Sequence, residues 1–344
     1  MKAMQEKLAG VLLCFGIAIP SWFLGNQLPL VGSPVFGILF GMLLVFFYPT
    51  LLGNKHLELE LGVKYTSKTL LQYSIILLGF SMNLFYVVKV GGESLYVIIF
   101  TLSASFLTAF IMGKVLHLER NITTLIGIGT CICGGSAIVA TAPVIKAKDE
   151  EVAHAISTIF LFNIIAVFIF PAMGAFWGMT DQGFGMWAGT AINDTSSVVA
   201  AGTAWSNSVG NNDALNFATI VKLTRTLMIV PITLILAIYE ARKAKKQPAI
   251  VGEEGFSFVK IFPWFVIGFV FTALINTFFP IQIVSETMVK VGKFMIVMAM
   301  VAIGLNTNLK KLVTNGIKPI FLGVCCWVAV ASVSLFVQKM LHIW

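Results

Sequence analysis

Asn193 and Asp194 stand side by side in "WAGTAINDTSSVVAAG", residues 187–202, with apolar sequence on both sides. Lys222 and Arg225 follow in "ATIVKLTRTLMIVP", three positions apart and therefore on one face of a helix. An acid or a base at the centre of a spanning helix costs about 2.5–3.5 kcal/mol on an insertion scale, so such groups face a cavity or a partner. Asp194 suits a proton- or cation-coupling site; its structural alternative is a salt bridge to Lys222 or Arg225. The basic pair suits an anionic substrate, because Arg offers a fork of donors that matches an oxyanion. Its structural alternative is snorkelling of both side chains to the membrane interface.

Sixty residues upstream runs "GIGTCICGGSAIVATAPVIKA", residues 127–147. Gly129-Thr130 falls on Gly189-Thr190, Ile132 on Ile192, Ser136 on Ser196 and Val139 on Val199. Asp194 falls on Gly134, while Lys222 and Arg225 fall on Leu161 and Ile164 after one residue of drift, so the charge belongs to the second copy alone. Gly134 and Gly135 release the helix. The half-helix that begins near Ser136 then presents free N–H groups and the positive end of its dipole, which favour an anion. Thr130 and Ser136 add hydroxyls in the first copy; Asn193, Thr195 and Ser196 add polar lining in the second. The substrate-binding candidates are thus Thr130, Gly134, Gly135, Ser136, Asn193, Thr195, Ser196, Lys222 and Arg225, with Asp194 for ion coupling. Asn163 and His154 are further candidates, each with a bland alternative: helix packing for Asn163 and an interfacial histidine for His154.

The elements that must position these residues are membrane helices. The chain has 344 residues, 58% hydrophobic and 11% charged, against roughly a quarter charged in a soluble domain. No strand-like alternation supports a membrane barrel. Apolar segments fall at about 8–24, 33–52, 67–90, 93–116, 122–147, 151–177, 183–206, 213–240, 258–279, 286–307 and 316–341. The first reads as a retained helix rather than a cleaved leader. The five cysteines show no zinc or disulfide spacing and read as packing residues. The net charge of +8 lies in loops, so it reports topology rather than a nucleic-acid partner. Lys2, Lys7, Lys55, Lys64, Lys68, Lys114, Arg120, Arg242, Lys243, Lys245, Lys246, Lys310 and Lys311 place the N-terminus in the cytoplasm and the C-terminus outside. Segments five and seven either cross fully or enter and leave on one side. The charge count favours re-entry, which puts Lys146 and Lys148 in the cytoplasm.

Two repeat-like pairs follow, 122–177 with 183–240 and 67–116 with 286–341, the second carried by "LLGFSMNL" and "VAIGLNTNL". Paired, interrupted segments in corresponding halves point to the binding site of a secondary transporter. The fold class is accordingly an all-α polytopic membrane protein, a single transporter domain over residues 1–344. It has about 9–11 transmembrane segments, two interrupted helices and internal inverted repeats.

"GTCICGGSAIVATAPVIKAKDEEVAHAISTIFLFN", with "WAGTAINDTSSVVAAG" and "ATIVKLTRTLMIVP", resembles the bacterial YeiH family of inner-membrane proteins. Its members are commonly labelled sulfate exporters and are grouped with the cation/proton antiporter and anion transporter superfamily. The resemblance implies an inner-membrane protein, a sulfate-like or related organic anion as substrate, and discontinuous helices crossing at the membrane centre. The expectation from residues and resemblance together is a secondary anion transporter coupled to H+ or Na+. It needs no cofactor or metal, is not an enzyme, and leaves a homodimer open. The rival is a cation/proton antiporter that uses Asp194 and keeps the basic pair structural. Minor readings are an intramembrane hydrolase built on Ser136 with His154 or Cys133, and a passive channel. No G-x-x-x-x-G-K-[ST] motif occurs, so nothing in the chain points to nucleotide-driven transport.

Overall fold

A computed structural model describes residues 2–28, 33–47, 57–244, 264–307 and 316–344, and among these all regular structure is helical. Lys55, Lys245, Lys246, Lys310 and Lys311, which contributed to the orientation above, lie outside the described residues. The chain opens with α1 (Lys2–Gln27) and α2 (Ser33–Phe47). Then α3 (Leu57–Tyr65) runs through a π turn into α4 (Leu71–Leu78), followed by α5 (Leu84–Val115). Next come α6 (Arg120–Cys131), α7 (Gly135–Thr141), α8 (Asp149–Phe176), α9 (Asp181–Ala191), α10 (Thr195–Val209), α11 (Asp213–Leu227) and α12 (Ile229–Ala244). The described helices end with α13 (Trp264–Phe278), α14 (Gln282–Asn306) and α15 (Ile317–Met340).

Among the described residues six stretches are long and apolar enough to cross a bilayer: most of α1, α5, α8, α11 with the start of α12, α14 and α15. Large apolar side chains coat the outside of the bundle, among them Phe46, Phe100, Phe110, Phe176 and Phe271. A coat of that kind is what lipid solvates.

One boundary differs from the sequence reading. The third and fourth apolar segments divide at Met82-Asn83, not near Gly91-Gly92, because Asn83 caps α5: its side-chain oxygen accepts from the Phe85 amide at 2.8 Å. Gly91 and Gly92 remain inside the 32-residue helix.

The two interrupted segments fold as hairpins. At the base of the first, Asn121 at the start of α6 donates to Glu151 at the start of α8 (3.0 Å), and the same carboxylate accepts from the Lys148 amide at 2.6 Å. The chain therefore enters along α6, turns at residues 132–134 and returns through α7 to the end from which it came. In the second, Asp181 at the start of α9 accepts from Trp205 Nε1 at 2.7 Å and from Asn211 Nδ2 at 2.8 Å, and Phe184 stacks on Trp205 with centroids 4.2 Å apart. Its turn lies at residues 192–194. Each interrupted segment thus turns back within the bundle toward the end from which it started, where the family resemblance implied crossing helices. The physical reason is at the bases: a carboxylate clamps each hairpin's arms, or the following helix, at one end of the bundle.

Because α8 traverses the bundle between the hairpins, they enter from opposite ends. Each is followed by a long helical run, α8 after the first and α11–α12 after the second. Near the N-terminus Lys7 lies over the ring of Tyr65, the last residue of α3, while at the C-terminus Trp344 packs against Gly183 at the α9 start, the end from which the second hairpin enters. Re-entry has a direct test. With single cysteines in a cysteine-free background, K114C and K148C should be modified by an impermeant thiol reagent from one face of the membrane. Q182C and S208C should be modified only from the other. Labelling of K114C and K148C from opposite faces would restore a full crossing.

Candidate functional site

The hairpin turns meet beside α11. α9 reaches α11 closely because Gly189 has no side chain: a Cβ there would sit 2.7 Å from Val221 Cβ. The first turn depends on Gly134, whose φ of +66° and ψ of −129° suit only glycine. A Cβ built at Gly134 would lie 3.5 Å from Asp194 Cβ and 3.6 Å from Asn163 Nδ2. The two positions that align in the repeat, Gly134 and Asp194, are therefore neighbours in space.

A helix that ends inside a membrane leaves its last carbonyls without partners, and lipid offers none. Lys222 and Arg225 supply them, and both side chains are fully buried. Lys222 Nζ donates to the Ile132 carbonyl at 2.7 Å, to that of Ile192 at 3.0 Å and to that of Asn193. Arg225 Nε donates to the Cys131 carbonyl at 2.6 Å, Nη2 to Thr130, and Nη1 to Thr190 and, at 3.5 Å, to Ile192. One ammonium and one guanidinium thus tie the carbonyl end of α6 to the carbonyl end of α9, and their positive charges face the negative ends of both dipoles. The sequence reading gave this pair the role of direct substrate ligands. In the structure all three ammonium donors of Lys222 and every nitrogen of the Arg225 guanidinium already point at backbone oxygen, and neither side chain snorkels.

Asp194 does the reverse job. It caps α10: its Oδ2 accepts from the Ser196 amide at 3.1 Å, and its carboxylate lies against the amides of Thr195 and Ser197. Its own amide donates to Asn163 Oδ1 at 3.2 Å. That bond fixes the Asn163 amide and leaves its Nδ2 buried with no partner. Asn193 is 1% exposed and neither polar atom of its side chain has a partner. A buried, unpartnered amide costs about 1–3 kcal/mol, so it marks a place where a ligand or water completes the bonding.

The remaining candidates divide. Ser136 is exposed, and a side chain at Gly135 would meet nothing within 4 Å, so the first turn is open on that flank. Thr195 and Ser196 are buried at the start of α10. Thr130 is at the tips through its carbonyl only, since its hydroxyl donates back to the Ile126 carbonyl at 2.8 Å. His154 lies in the first turns of α8, nine residues before Asn163, or about 14 Å along the helix. It is therefore remote from Ser136, and the pairing needed for a Ser–His hydrolase is not formed. Sequence reasoning overlooked Glu151 and Asp181, the acids that close the hairpin bases. Their only signal is position, at the first turn of the helix following a break. It also overlooked the bond between Thr190 and Ser334 (2.6 Å), which docks the second hairpin on α15.

Together, a helical bundle with an apolar coat and two hairpins meeting at buried charges define an all-α polytopic membrane protein. A family model described as "Conserved hypothetical protein 698" matches residues 9–323. A UPF0324 membrane protein of Streptococcus agalactiae is 50% identical over 99% of both chains, and one of Streptococcus pyogenes is 50% identical over the full length of both. A UPF0324 membrane protein of Fusobacterium nucleatum is 46% identical over 99% of this chain and all of its own. The chain belongs to the UPF0324 family of membrane proteins, the YeiH-like family. No solved structure matches it.

Two substitutions test the arrangement at the turns. Arg225→Leu leaves at least three carbonyls unmatched and should lower stability by roughly 3 kcal/mol or more, seen as a large fall in the thermal unfolding midpoint in detergent. Gly134→Ala fits sterically but forces an L-residue to positive φ, and should cost on the order of 1–3 kcal/mol. An unfolding midpoint unmoved in both variants would contradict the bonding described.

Proposed function

We propose that the protein is a secondary transporter of a small anion, an oxyanion of the sulfate, sulfite or sulfonate type, bound where the hairpin turns meet. The observation that carries this reading is the placement of charge. Lys222 and Arg225 bring two positive charges to the turns and Asp194 brings one negative charge, leaving a formal excess of +1 in a buried site. That excess attracts an anion. The donors that would hold it are the unpartnered Asn163 Nδ2, the Asn193 amide and the Ser136 hydroxyl. Lys222 and Arg225 contribute their field rather than their hydrogen bonds, a change from the direct-ligand role expected from their residue types and spacing.

The rest of the architecture fits carriage rather than catalysis. Two inverted units bring their interrupted segments to one point in the bundle, the arrangement from which alternating access is built. The end that bears Lys7, Lys114, Arg120, Lys146 and Lys148 is the cytoplasmic one on the positive-inside rule, so the C-terminus is external in the cytoplasmic membrane.

Asp194 supports a second reading, a cation/proton antiporter. Backbone carbonyls at helix breaks are the usual seats for a transported cation. Here those seats are filled by Lys222 and Arg225, which weighs against it.

Flux into proteoliposomes separates the two. The purified chain should carry at least one of radiolabelled sulfate, sulfite, thiosulfate or methanesulfonate. Asn163→Leu, which removes the donor and the acceptor of the Asp194 amide while leaving the formal charges in place, should reduce that flux by about tenfold or more, the order expected for losing one buried hydrogen bond to a charged group. Sodium–proton exchange with no anion flux would transfer the assignment to the antiporter.

A further inference from the structure

The same site answers which ion is coupled. We infer that the anion is co-transported with a proton carried on Asp194, and that sodium takes no part; this rests on the anion-transport reading above.

The backbone oxygens that a sodium ion would need are occupied. Sodium binds through several oxygens at once, and at the two breaks the backbone oxygens concentrated in one place are the carbonyls of residues 130–132, 190, 192 and 193, with Asn193 Oδ1 a single unpartnered side-chain oxygen beside them. The Lys222 ammonium and the Arg225 guanidinium hold every one of those that ends a half-helix at the junction: Thr130, Cys131, Ile132, Thr190, Ile192 and Asn193. A further cation placed there would face two fixed positive charges. Among the described residues no group of three or more His, Cys, Asp or Glu side chains forms an alternative cation site.

The anion and Asp194 also compete for donors. The free amides at the start of α10 are the strongest anion-attracting group at the turns, since α10 has 15 residues and ends its dipole there. Asp194 occupies them, with Oδ2 on the Ser196 amide. An oxyanion that docks between Asn163 Nδ2 and the α10 amides must displace that carboxylate. Two anionic groups sharing one buried set of donors repel, and the carboxylate relieves this by taking up a proton. The balance is simple: –COO⁻ plus H⁺ gives –COOH, the Ser196 N–H passes from the carboxylate to the oxyanion, and no bond other than the new O–H is made. With a dianion bound and Asp194 protonated, the formal charges of Lys222, Arg225 and the substrate sum to zero.

The second observation that points to a ligand is independent of the helix end. Asn163 is 3% exposed and Asn193 1% exposed, both carry unpartnered amide nitrogens, and Asn163 Nδ2 is aimed at Gly134 beside Asp194. The titratable and charged groups facing Asp194 are Lys222 from α11 and the Cys133 thiol from the first turn. α8 contributes the uncharged Asn163, and α10 the uncharged Thr195, Ser196 and Ser197.

Calorimetric titration of the full chain in nanodiscs tests this. Sulfate, sulfite, thiosulfate and methanesulfonate are each titrated in buffers of differing ionisation enthalpy, in sodium and in N-methyl-D-glucamine. The expected result is uptake of about one proton per anion bound, and affinity that falls up to about tenfold per pH unit as pH rises, unchanged when sodium is replaced. Asp194→Asn should bind with no proton uptake and no pH dependence, and Cys133→Ser should keep the uptake. Wild-type binding that requires sodium or takes up no proton would overturn the inference, and so would uptake that survives Asp194→Asn or disappears in Cys133→Ser. The wild-type data decide alone if Asp194→Asn does not fold. If none of the four anions binds, the transport reading itself falls, a result distinct from binding without a proton.

Discussion

A helix that stops halfway through a membrane exposes carbonyl oxygens that neither lipid nor the next turn can satisfy. In this protein two helices do so, and the same pair of side chains serves both. Lys222 and Arg225 reach from one face of α11 into the ends of α6 and α9 and hold six different carbonyls between them. Without these bonds the carbonyl ends of both half-helices would be left buried and unpaired. The cost of burying two cations is offset by the partial negative charge of two helix ends and by hydrogen bonds from every nitrogen of the two side chains. Asp194 completes the pattern by capping the positive end of α10.

This constraint shapes what surrounds it. Gly134 must be a glycine to turn the chain where the carbonyls are to be presented. Gly189 must lack a side chain for α9 to approach α11. Glu151 and Asp181 clamp the bases, so that the turns are held at a fixed depth. What is left over at the turns is a set of uncommitted polar atoms on Asn163 and Asn193 and an open flank at Gly135 and Ser136. The committed atoms build the junction; the uncommitted ones are where a substrate has something to gain.

Much of this was legible in the sequence because the membrane imposes a narrow code. Asn193, Asp194, Lys222 and Arg225 stand out simply by being polar in apolar segments, and the sixty-residue offset sets Gly134 on Asp194, two positions that lie close together in the fold. Re-entry was favoured by two lysines, Lys146 and Lys148. The roles were harder. Nothing in "KLTR" distinguishes a base that grips an anion from one that grips carbonyls, because that depends on where chain segments thirty to ninety residues away come to rest. Asn163 looked as much like a packing residue as a ligand until its amide was found with one end bonded and the other free. The Met82-Asn83 break was misplaced because a glycine pair at 91–92 is a louder signal than a single capping asparagine, yet inside a long buried-faced helix the glycines stay helical.

The central claim is that an oxyanion lodges among Asn163, Ser136 and the α10 amides, while Lys222 and Arg225 stay on the helix-end carbonyls. Crystals grown with selenate and measured at the selenium absorption edge test it directly. The account predicts an anomalous peak beside Asn163 Nδ2 and the Ser196 amide, with the Lys222 ammonium still bonded to the carbonyls of Ile132 and Asn193. A peak held by Arg225 and Lys222 after they have left those carbonyls would contradict it, as would crystals of the folded chain with no peak at the turns.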